Sequence, residues 1–471
     1  MKSFKKIVLA IMLLCSINAL SAEITLIGVN GNGEKVETLD AAIDKITKEN
    51  NKFIKFNVMP GENIGYDGVK NLAKALTNPN CKLAHLEISV NRIGAEGTQY
   101  IADALKNEIC NLRYLNIGFN SIGNKGAQYI SEALKNKNCK LAYLEISSNK
   151  IGAEGAQYIA DALMNKNCSL SYLKIGWNEE ISDKGTECLA KALLNSKLTK
   201  LNIGKNKIGP EGARYIADAL KNENCNLTEL YLYWNKIGDD GAKAIAKALL
   251  KSKLTNLNLG DNEIGPEGAQ DLANALMNEN CKLTELDLDV NSIGDDGAKA
   301  LSEALKNENC KLTKSNLRDN RIGIEHLRSI NFTMELCAIN NLKRMVENEE
   351  INKNNYIRII EFVGSTLFFV KNLSNETMIN WYNSLQNKEL PYLDAEYKEE
   401  LDNHGIENSD AAVKYIQNKF NNLKNELDLE LKKKNKNFEE FMSNQNLMNM
   451  LGVQRLLRQD FDDYGDFGVE V

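Results

Sequence analysis

Short alternating stretches of apolar and polar residues recur along the chain, and each is followed by an apolar pattern with helical spacing. In the stretch ELYLYWN, which runs from Glu229 to Asn235, leucines occupy alternate positions. A period of two is typical of a strand with one buried face, so these leucines are predicted to face the core. Tyr231 and Tyr233 are then predicted to face outward, where large aromatic side chains need an explanation.

This strand-and-helix unit repeats at a nearly constant period. The asparagine that closes each strand pattern recurs at spacings of 27 to 29 residues, at Asn91, Asn120, Asn149, Asn178, Asn206, Asn235, Asn262, Asn291 and Asn320. One unit cannot bury its own apolar side, so the units are predicted to stack with their strands in a parallel sheet and their helices on the other side. The asparagine amides are predicted to bond to neighbouring backbone at the turn that leaves each strand.

The pattern N-x-I-G-x-x-G-A-x-x-[IL]-A-x-A-L-x-N-x-N-C-x-L resembles the ribonuclease-inhibitor-like subclass of leucine-rich repeats. That subclass also occurs in NOD-like receptors and Ran GTPase-activating proteins. The resemblance covers roughly residues 53 to 325. It implies an α/β fold, a curved solenoid with a parallel sheet inside and helices outside. It implies no particular activity, because such proteins share a scaffold and differ in what the surface binds.

Four regions are predicted along the chain. Residues 1–22 combine lysines, a short apolar run and small residues, as in a secretory signal peptide. Residues 23–60 are predicted to form an N-terminal cap with a degenerate first repeat strand, residues 61–330 the leucine-rich repeats, and residues 331–471 a mainly helical C-terminal region. The expected location is therefore secreted, periplasmic or cell-surface, with no stable membrane span after signal removal.

Composition narrows the function classes. The 471 residues are 43% hydrophobic, which is enough for a sizeable core. A net charge of −6 argues against a protein that tracks nucleic-acid phosphates with a basic surface. The three histidines, His85, His326 and His404, are far apart and lack metal-ligand spacing. No catalytic residue, metal or cofactor is predicted, and the chain is predicted not to be an enzyme.

Cysteine positions follow the repeat instead of a disulfide framework. Seven of the ten cysteines occupy one slot, just before the next strand: Cys81, Cys110, Cys139, Cys168, Cys225, Cys281 and Cys310. They are predicted to be free, buried thiols that pack as small apolar side chains. Secretion would leave their oxidation open.

The candidate binding surface lies at the strand positions that flank the buried leucines. Aromatic residues concentrate there in the middle repeats and acidic residues lie beyond them, giving the set Tyr114, Tyr143, Tyr172, Trp177, Tyr231, Tyr233, Trp234, Glu285, Asp287 and Asp289. Tyrosine and tryptophan are favoured anchors in protein interfaces. The alternative is that duplication copied tyrosine from repeat to repeat and that the rings only cover neighbouring strands.

The leading function is a secreted, non-enzymatic scaffold that binds a protein partner through the concave face of the solenoid. If the chain is bacterial, a host protein is one such partner. One alternative is a secreted effector or toxin with its activity in the C-terminal helical region and its target chosen by the repeats. Another is a structural cell-surface protein.

Overall fold

The structure, a computed structural model, describes residues 24–323. The predicted signal peptide and the predicted helical region from residue 331 lie outside the described residues. Within these residues the chain divides into two units, one made of residues 24–297 and 316–321 and the other of residues 298–315 and 322–323.

The described residues form an alternating series of strands and helices. The strands are β1 (Ile24–Gly28), β2 (Gly33–Val36), β3 (Phe53–Val58), β4 (His85–Glu87), β5 (Tyr114–Asn116), β6 (Tyr143–Glu145), β7 (Tyr172–Lys174), β8 (Lys200–Asn202), β9 (Glu229–Tyr231), β10 (Asn256–Asn258), β11 (Glu285–Asp287) and β12 (Lys314–Asn316). The helices are α1 (Leu39–Thr47), α2 (Gly65–Leu76), α3 (Gly94–Leu105), α4 (Gly123–Leu134), α5 (Ala153–Leu163), α6 (Ser182–Leu193), α7 (Pro210–Leu220), α8 (Gly238–Leu249), α9 (Pro266–Leu276) and α10 (Gly294–Lys306).

The strands form one sheet in the order β12-β11-β10-β9-β8-β7-β6-β5-β4-β3-β1-β2. From β3 to β11 each strand pairs in parallel with the next, in the same register, so equivalent residues of successive repeats lie side by side. At the start, β1 pairs antiparallel with both β2 and β3. The predicted parallel arrangement is confirmed, and β2 is a cap strand that the sequence pattern did not indicate.

The core lies under the strand leucines and the apolar face of each helix. Leu230 and Leu232 are fully buried, as predicted, and Ile245 and Leu249 of α8 are buried with them. Small residues set the distance between helices: a β-carbon on Gly241 would lie 2.9 Å from the Ala213 Cβ of the preceding helix. Only glycine allows this approach.

The predicted asparagine bonds form a continuous ladder, shown here for Asn149. Its Oδ1 accepts from the Asn120 backbone N–H at 2.8 Å and from that of Ile122 at 3.4 Å. Its Nδ2 donates to the carbonyl oxygens of Ile117 at 2.9 Å and Ser147 at 3.3 Å. Asn149 is completely buried, so its side chain satisfies backbone groups that have no water nearby.

Helix starts alternate between two forms from α4 onward. α4, α6, α8 and α10 begin at a residue with φ between 52° and 62°. α5, α7 and α9 instead follow an extended glycine, with φ between −101° and −97°. For this second group the helix cap comes from the preceding repeat.

The inter-repeat cap is a side-chain oxygen from the first turn of the preceding helix. Asp239 Oδ1 accepts from the backbone N–H groups of Gly265 at 2.7 Å and Gly268 at 2.9 Å. Asp183 makes the same pair of bonds to α7, and Asn124 makes it to α5. These bonds satisfy orphan donors at the positive end of the helix dipole.

All seven cysteines of the repeat slot are buried, and no disulfide joins them within residues 24–323. Burial raises the pKa of the Cys81 and Cys139 thiols to about 11. Both thiols are therefore protonated and unreactive at neutral pH. Cys188, which lies outside the slot, is free and partly exposed.

Candidate protein-interaction surface

We use the term strand face for the side of the sheet formed by the first and third residues of each three-residue strand and by the residue two positions after the strand. On β9 these residues are Glu229, Tyr231 and Tyr233. On β9 the middle residue, Leu230, is fully buried, whereas Glu229 and Tyr231 on either side of it are half-buried. The side chains of the strand face are therefore partly accessible to solvent and partly covered by neighbouring residues. Tyr231 is only partly exposed.

The first strand positions of β4 to β7 hold a run of stacked rings. The centroids of His85 and Tyr114 are 3.7 Å apart with 8° between the ring planes, and those of Tyr114 and Tyr143 are 4.0 Å apart with 9° between the planes. Tyr143 meets Tyr172 edge to face at 4.9 Å. Parallel strands lie close to the spacing of stacked rings, so the register itself produces the stack. The predicted set did not include His85.

Carboxylates hold the tyrosine hydroxyls in place. Tyr143 Oη donates to Glu145 Oε2 at 2.8 Å, and Tyr231 Oη donates to Glu229 Oε2 at 2.9 Å. Burial raises the pKa of both tyrosines, and the adjacent carboxylate raises it further. Both phenols therefore remain neutral donors at physiological pH.

Two lysines neutralise the carboxylates in the middle of the strand face. Lys200 Nζ lies 2.7 Å from Glu229 Oε1, and Lys174 Nζ lies 3.4 Å from Glu145 Oε2. Lys200 also lies 5.9 Å from the centre of the Tyr172 ring. The tyrosines are thus surrounded by paired charges that fix their orientation.

Trp177 and Trp234 form a separate cluster at the turns that follow β7 and β9. Their ring centroids are 5.2 Å apart, and Lys205 Nζ lies 3.6 Å from the Trp177 centroid and 4.3 Å from the Trp234 centroid. A cation at these distances interacts favourably with both rings. Burial lowers the pKa of Lys205. Lys205 stands directly before Asn206, as Trp177 and Trp234 stand directly before Asn178 and Asn235, so it lies in the repeat between the two tryptophans. The predicted set included aromatic and acidic residues only.

Tyr233 packs over the backbone of the preceding repeat. A β-carbon on Gly204 would lie 2.6 Å from the Tyr233 ring, so the glycine leaves the space that the ring occupies. Tyr233 Oη accepts from Asn202 Nδ2 at 3.2 Å. This ring therefore lies flat against the sheet.

The acidic end of the strand face is built from amide and carboxylate pairs. Asn256 Nδ2 donates to Glu285 Oε2 at 2.7 Å, and Asn258 Nδ2 donates to Asp287 Oδ2 at 3.0 Å. Asp287 Oδ1 accepts from the Asp289 backbone N–H at 3.1 Å. Burial, together with the Asp287 charge, raises the pKa of Asp289 to about 6.

Eight of the ten predicted residues form three groups with different chemistry, and Tyr231 and Tyr233 lie on the strand face outside these groups. Tyr114, Tyr143 and Tyr172 make the ring stack, Trp177 and Trp234 enclose a lysine, and Glu285, Asp287 and Asp289 make the acidic end. Among residues 24–323, no group of three acidic, histidine or cysteine side chains is arranged to hold a metal ion. In the same part of the chain, no helix has the length and apolar character needed to cross a membrane.

This fold and its repeat define a solenoid of stacked strand-and-helix units. The Leucine Rich repeat family model matches eight segments: residues 80–102, 108–131, 137–160, 166–190, 194–217, 223–246, 251–273 and 279–302. Residues 80–302 are therefore built of leucine-rich repeats. The ribonuclease-inhibitor-like subclass remains a prediction.

Solved structures that this chain is similar to include the leucine-rich repeat-containing protein LegL7 from Legionella pneumophila. The two are 17% identical over 60% of this chain and 98% of that one, with a TM-score of 0.38. An internalin, inlF, from Listeria monocytogenes is 20% identical over 62% of this chain and 91% of that one, with a TM-score of 0.35. The crystal structure of the Rad7 and Elc1 complex in yeast contains a chain that is 18% identical over 62% of this chain and 69% of that one, with a TM-score of 0.43. A comparison with curated proteins finds no match.

Proposed function

We propose that this chain is a secreted, non-enzymatic scaffold whose strand face binds a protein partner, with a host protein as one such partner if the chain is bacterial. The observation that carries the proposal is the set of half-buried aromatic rings on that face. They lie outside the leucine core, and carboxylates hold Tyr143 and Tyr231 in fixed positions. Rigid aromatic anchors of this kind lose little conformational entropy on binding.

Secretion is supported by the sequence of residues 1–22 alone. The expected result in the native organism is an exported protein that begins at residue 22 or 23. N-terminal sequencing of the exported and cell-associated fractions tests this. A protein that stays inside the cell and still carries residues 1–22 would contradict secretion. The proposal that the strand face binds a protein partner would be unaffected.

Site-specific photo-cross-linking tests the binding surface. A photoreactive amino acid is placed at Tyr231 on the strand face, and in a matched variant at Gln157, which is exposed on α5. We expect the Tyr231 variant to cross-link a discrete partner from host-cell or extracellular material and the Gln157 variant not to do so. Equal cross-linking from both positions, or from neither, would contradict the use of the strand face.

A further inference from the structure

A second row of residues runs beside the strand face, at the position directly before each ladder asparagine. We call it the turn row: Val90, Phe119, Ser148, Trp177, Lys205, Trp234, Asp261, Val290 and Asp319. Every one of these residues has a left-handed backbone, with φ between 50° and 59°. None is glycine or asparagine, the residues that adopt this conformation at least cost.

Hydrogen bonds between repeats impose this backbone conformation. The N–H of Phe119 donates to the Ser147 carbonyl at 2.9 Å, and the N–H of Trp177 donates to the Gly204 carbonyl at 2.8 Å. The turn is fixed by the stacking of repeats, so the identity of the side chain is not needed to form it. A bulky or β-branched residue there is under strain that the rest of the repeat offsets.

Five of the nine turn-row residues are nevertheless apolar, and two of those five are β-branched valines. Phe119 is 39% exposed and Val290 is 42% exposed, so neither contributes a fully buried side chain to the core. Strained backbone that carries exposed apolar side chains is explained poorly by stability and well by binding.

The charge beside the row identifies the kind of partner. From residue 90 to residue 236, the row and the positions that follow the ladder asparagines carry five cations: Arg92, Lys150, Lys205, Lys207 and Lys236. The acids in the same turns are Glu179 and Glu180, and Glu179 is paired with Lys207 at 2.9 Å. Arg92, Lys150 and Lys236 are exposed. This part of the row therefore combines apolar side chains with an excess of positive charge.

We propose that the turn row from Val90 to Trp234 docks a segment of the partner protein in which apolar side chains alternate with carboxylates. The inference rests on the scaffold function proposed above and names the chemistry of the partner. A membrane surface is the other source of apolar and anionic contacts. The geometry favours a peptide, because Trp177 and Trp234 are half-buried around Lys205 instead of projecting outward.

The first measurement is thermal stability of the full chain with Phe119→Asn, Val90→Asn and the matched control Val290→Asn, which changes an exposed apolar side chain of the turn row outside the docking segment. Asparagine tolerates the left-handed conformation, so each variant should melt at the wild-type temperature or up to about 2 to 4 °C above it. A lower melting temperature for both Phe119→Asn and Val90→Asn would show that these side chains serve the fold and would overturn the proposal.

The second measurement is binding of a fluorescein-labelled synthetic peptide that alternates glutamate with phenylalanine and leucine, followed by fluorescence anisotropy. The wild type should bind it at least tenfold more tightly than the same peptide with lysine in place of glutamate. Phe119→Asn should lose about tenfold in affinity, as expected for an aromatic anchor, and Val290→Asn, outside the docking segment, should lose none. Equal binding of both peptides, or an equal loss in the Val290 control, would overturn the proposal.

Phosphatidylserine vesicles distinguish the two sources of anionic contacts. Binding to vesicles without binding to the acidic peptide would overturn the peptide assignment. If Phe119→Asn has no effect while the Tyr231 position still cross-links a partner, this inference fails and the scaffold function stands. If Tyr231 cross-links nothing, the scaffold function itself fails.

Discussion

Two kinds of position within the repeat differ in how much their residue type changes from one repeat to the next. The middle residue of the strand is leucine in every repeat from β4 to β11, and the ladder position is asparagine in all nine. The first residue of the strand, by contrast, changes from histidine at His85 through tyrosine at Tyr143 to glutamate at Glu229. The constant positions are buried and the variable ones are half-buried. Fold and surface chemistry are therefore carried by separate positions of the same unit, and the following substitutions test that separation.

The largest effect is expected for the ladder. Asn149→Ala should lower the free energy of unfolding by about 4 kcal/mol, because it leaves several buried backbone groups without partners. Urea unfolding of the purified protein measures the change. Asn195→Ala, at an exposed position after α6, is the control and should change stability by less than about 0.5 kcal/mol. A similar loss of stability in both variants would show that a ladder asparagine contributes no more to stability than an exposed one.

A neighbouring pair on β9 compares the core with the strand face directly. Leu230→Ala should cost about 3 kcal/mol, because it creates a cavity at a fully buried site. Tyr231→Ala should cost about 1.5 kcal/mol, because the ring is half-buried and its hydroxyl bonds to Glu229. The same urea titration measures both. If Tyr231→Ala is as destabilising as Leu230→Ala, this tyrosine belongs to the core.

The acidic end of the strand face should make stability depend on pH. The folded pKa of Asp289 is about 6, above the value of about 3.9 in an unfolded chain. The folded state therefore binds this proton more tightly, and the stability that it contributes is present below about pH 4 and lost as pH rises through 6. After allowance for partial exposure, the effect is about 1 kcal/mol.

Thermal unfolding of the wild type and of Asp289→Asn between pH 4 and 7 measures this contribution. The substitution should remove part of the loss of stability between pH 4 and 6, and Asp296→Asn, at an exposed position on α10, should leave the profile unchanged. An Asp289→Asn profile that follows the wild type would contradict the assignment.

Thiol labelling compares a partly exposed position with buried ones in the wild-type protein, without a substitution that alters stability. Among the eight described cysteines, Cys188 is partly exposed and the other seven are buried. An excess of a maleimide reagent should modify Cys188 before these seven thiols under native conditions, with the sites identified by peptide mass spectrometry. The buried thiols should react only at the rate of local opening. Early labelling of Cys139 would show that the repeat slot opens readily.

Much of the fold followed from the sequence, because each repeat supplies the same local pattern many times. The predicted strand leucines and asparagine bonds agree with the structure. The surface rows also followed, since residues at equivalent positions must lie side by side in a parallel sheet.

The details of the surface did not follow, because they depend on side chains from different repeats. The parallel stacking of Tyr114 on Tyr143 and the lysine between two tryptophans are contacts across repeats. The left-handed turn row runs against local preference, since valine and tryptophan disfavour that conformation. Hydrogen bonds from the next repeat impose it, and no single-residue pattern contains that information.

The inter-repeat helix caps carry a consequence for how such a chain grows or shrinks. Asn124, Asp183 and Asp239 each act on the helix that follows, so donor and acceptor repeats come in pairs. Removing residues 182–237 would excise one complete pair and keep every remaining cap with its own helix. Removing 209–237 alone would leave Asp183 without the glycines that it caps. The module that can be duplicated, exchanged or engineered in this protein is therefore two repeats long.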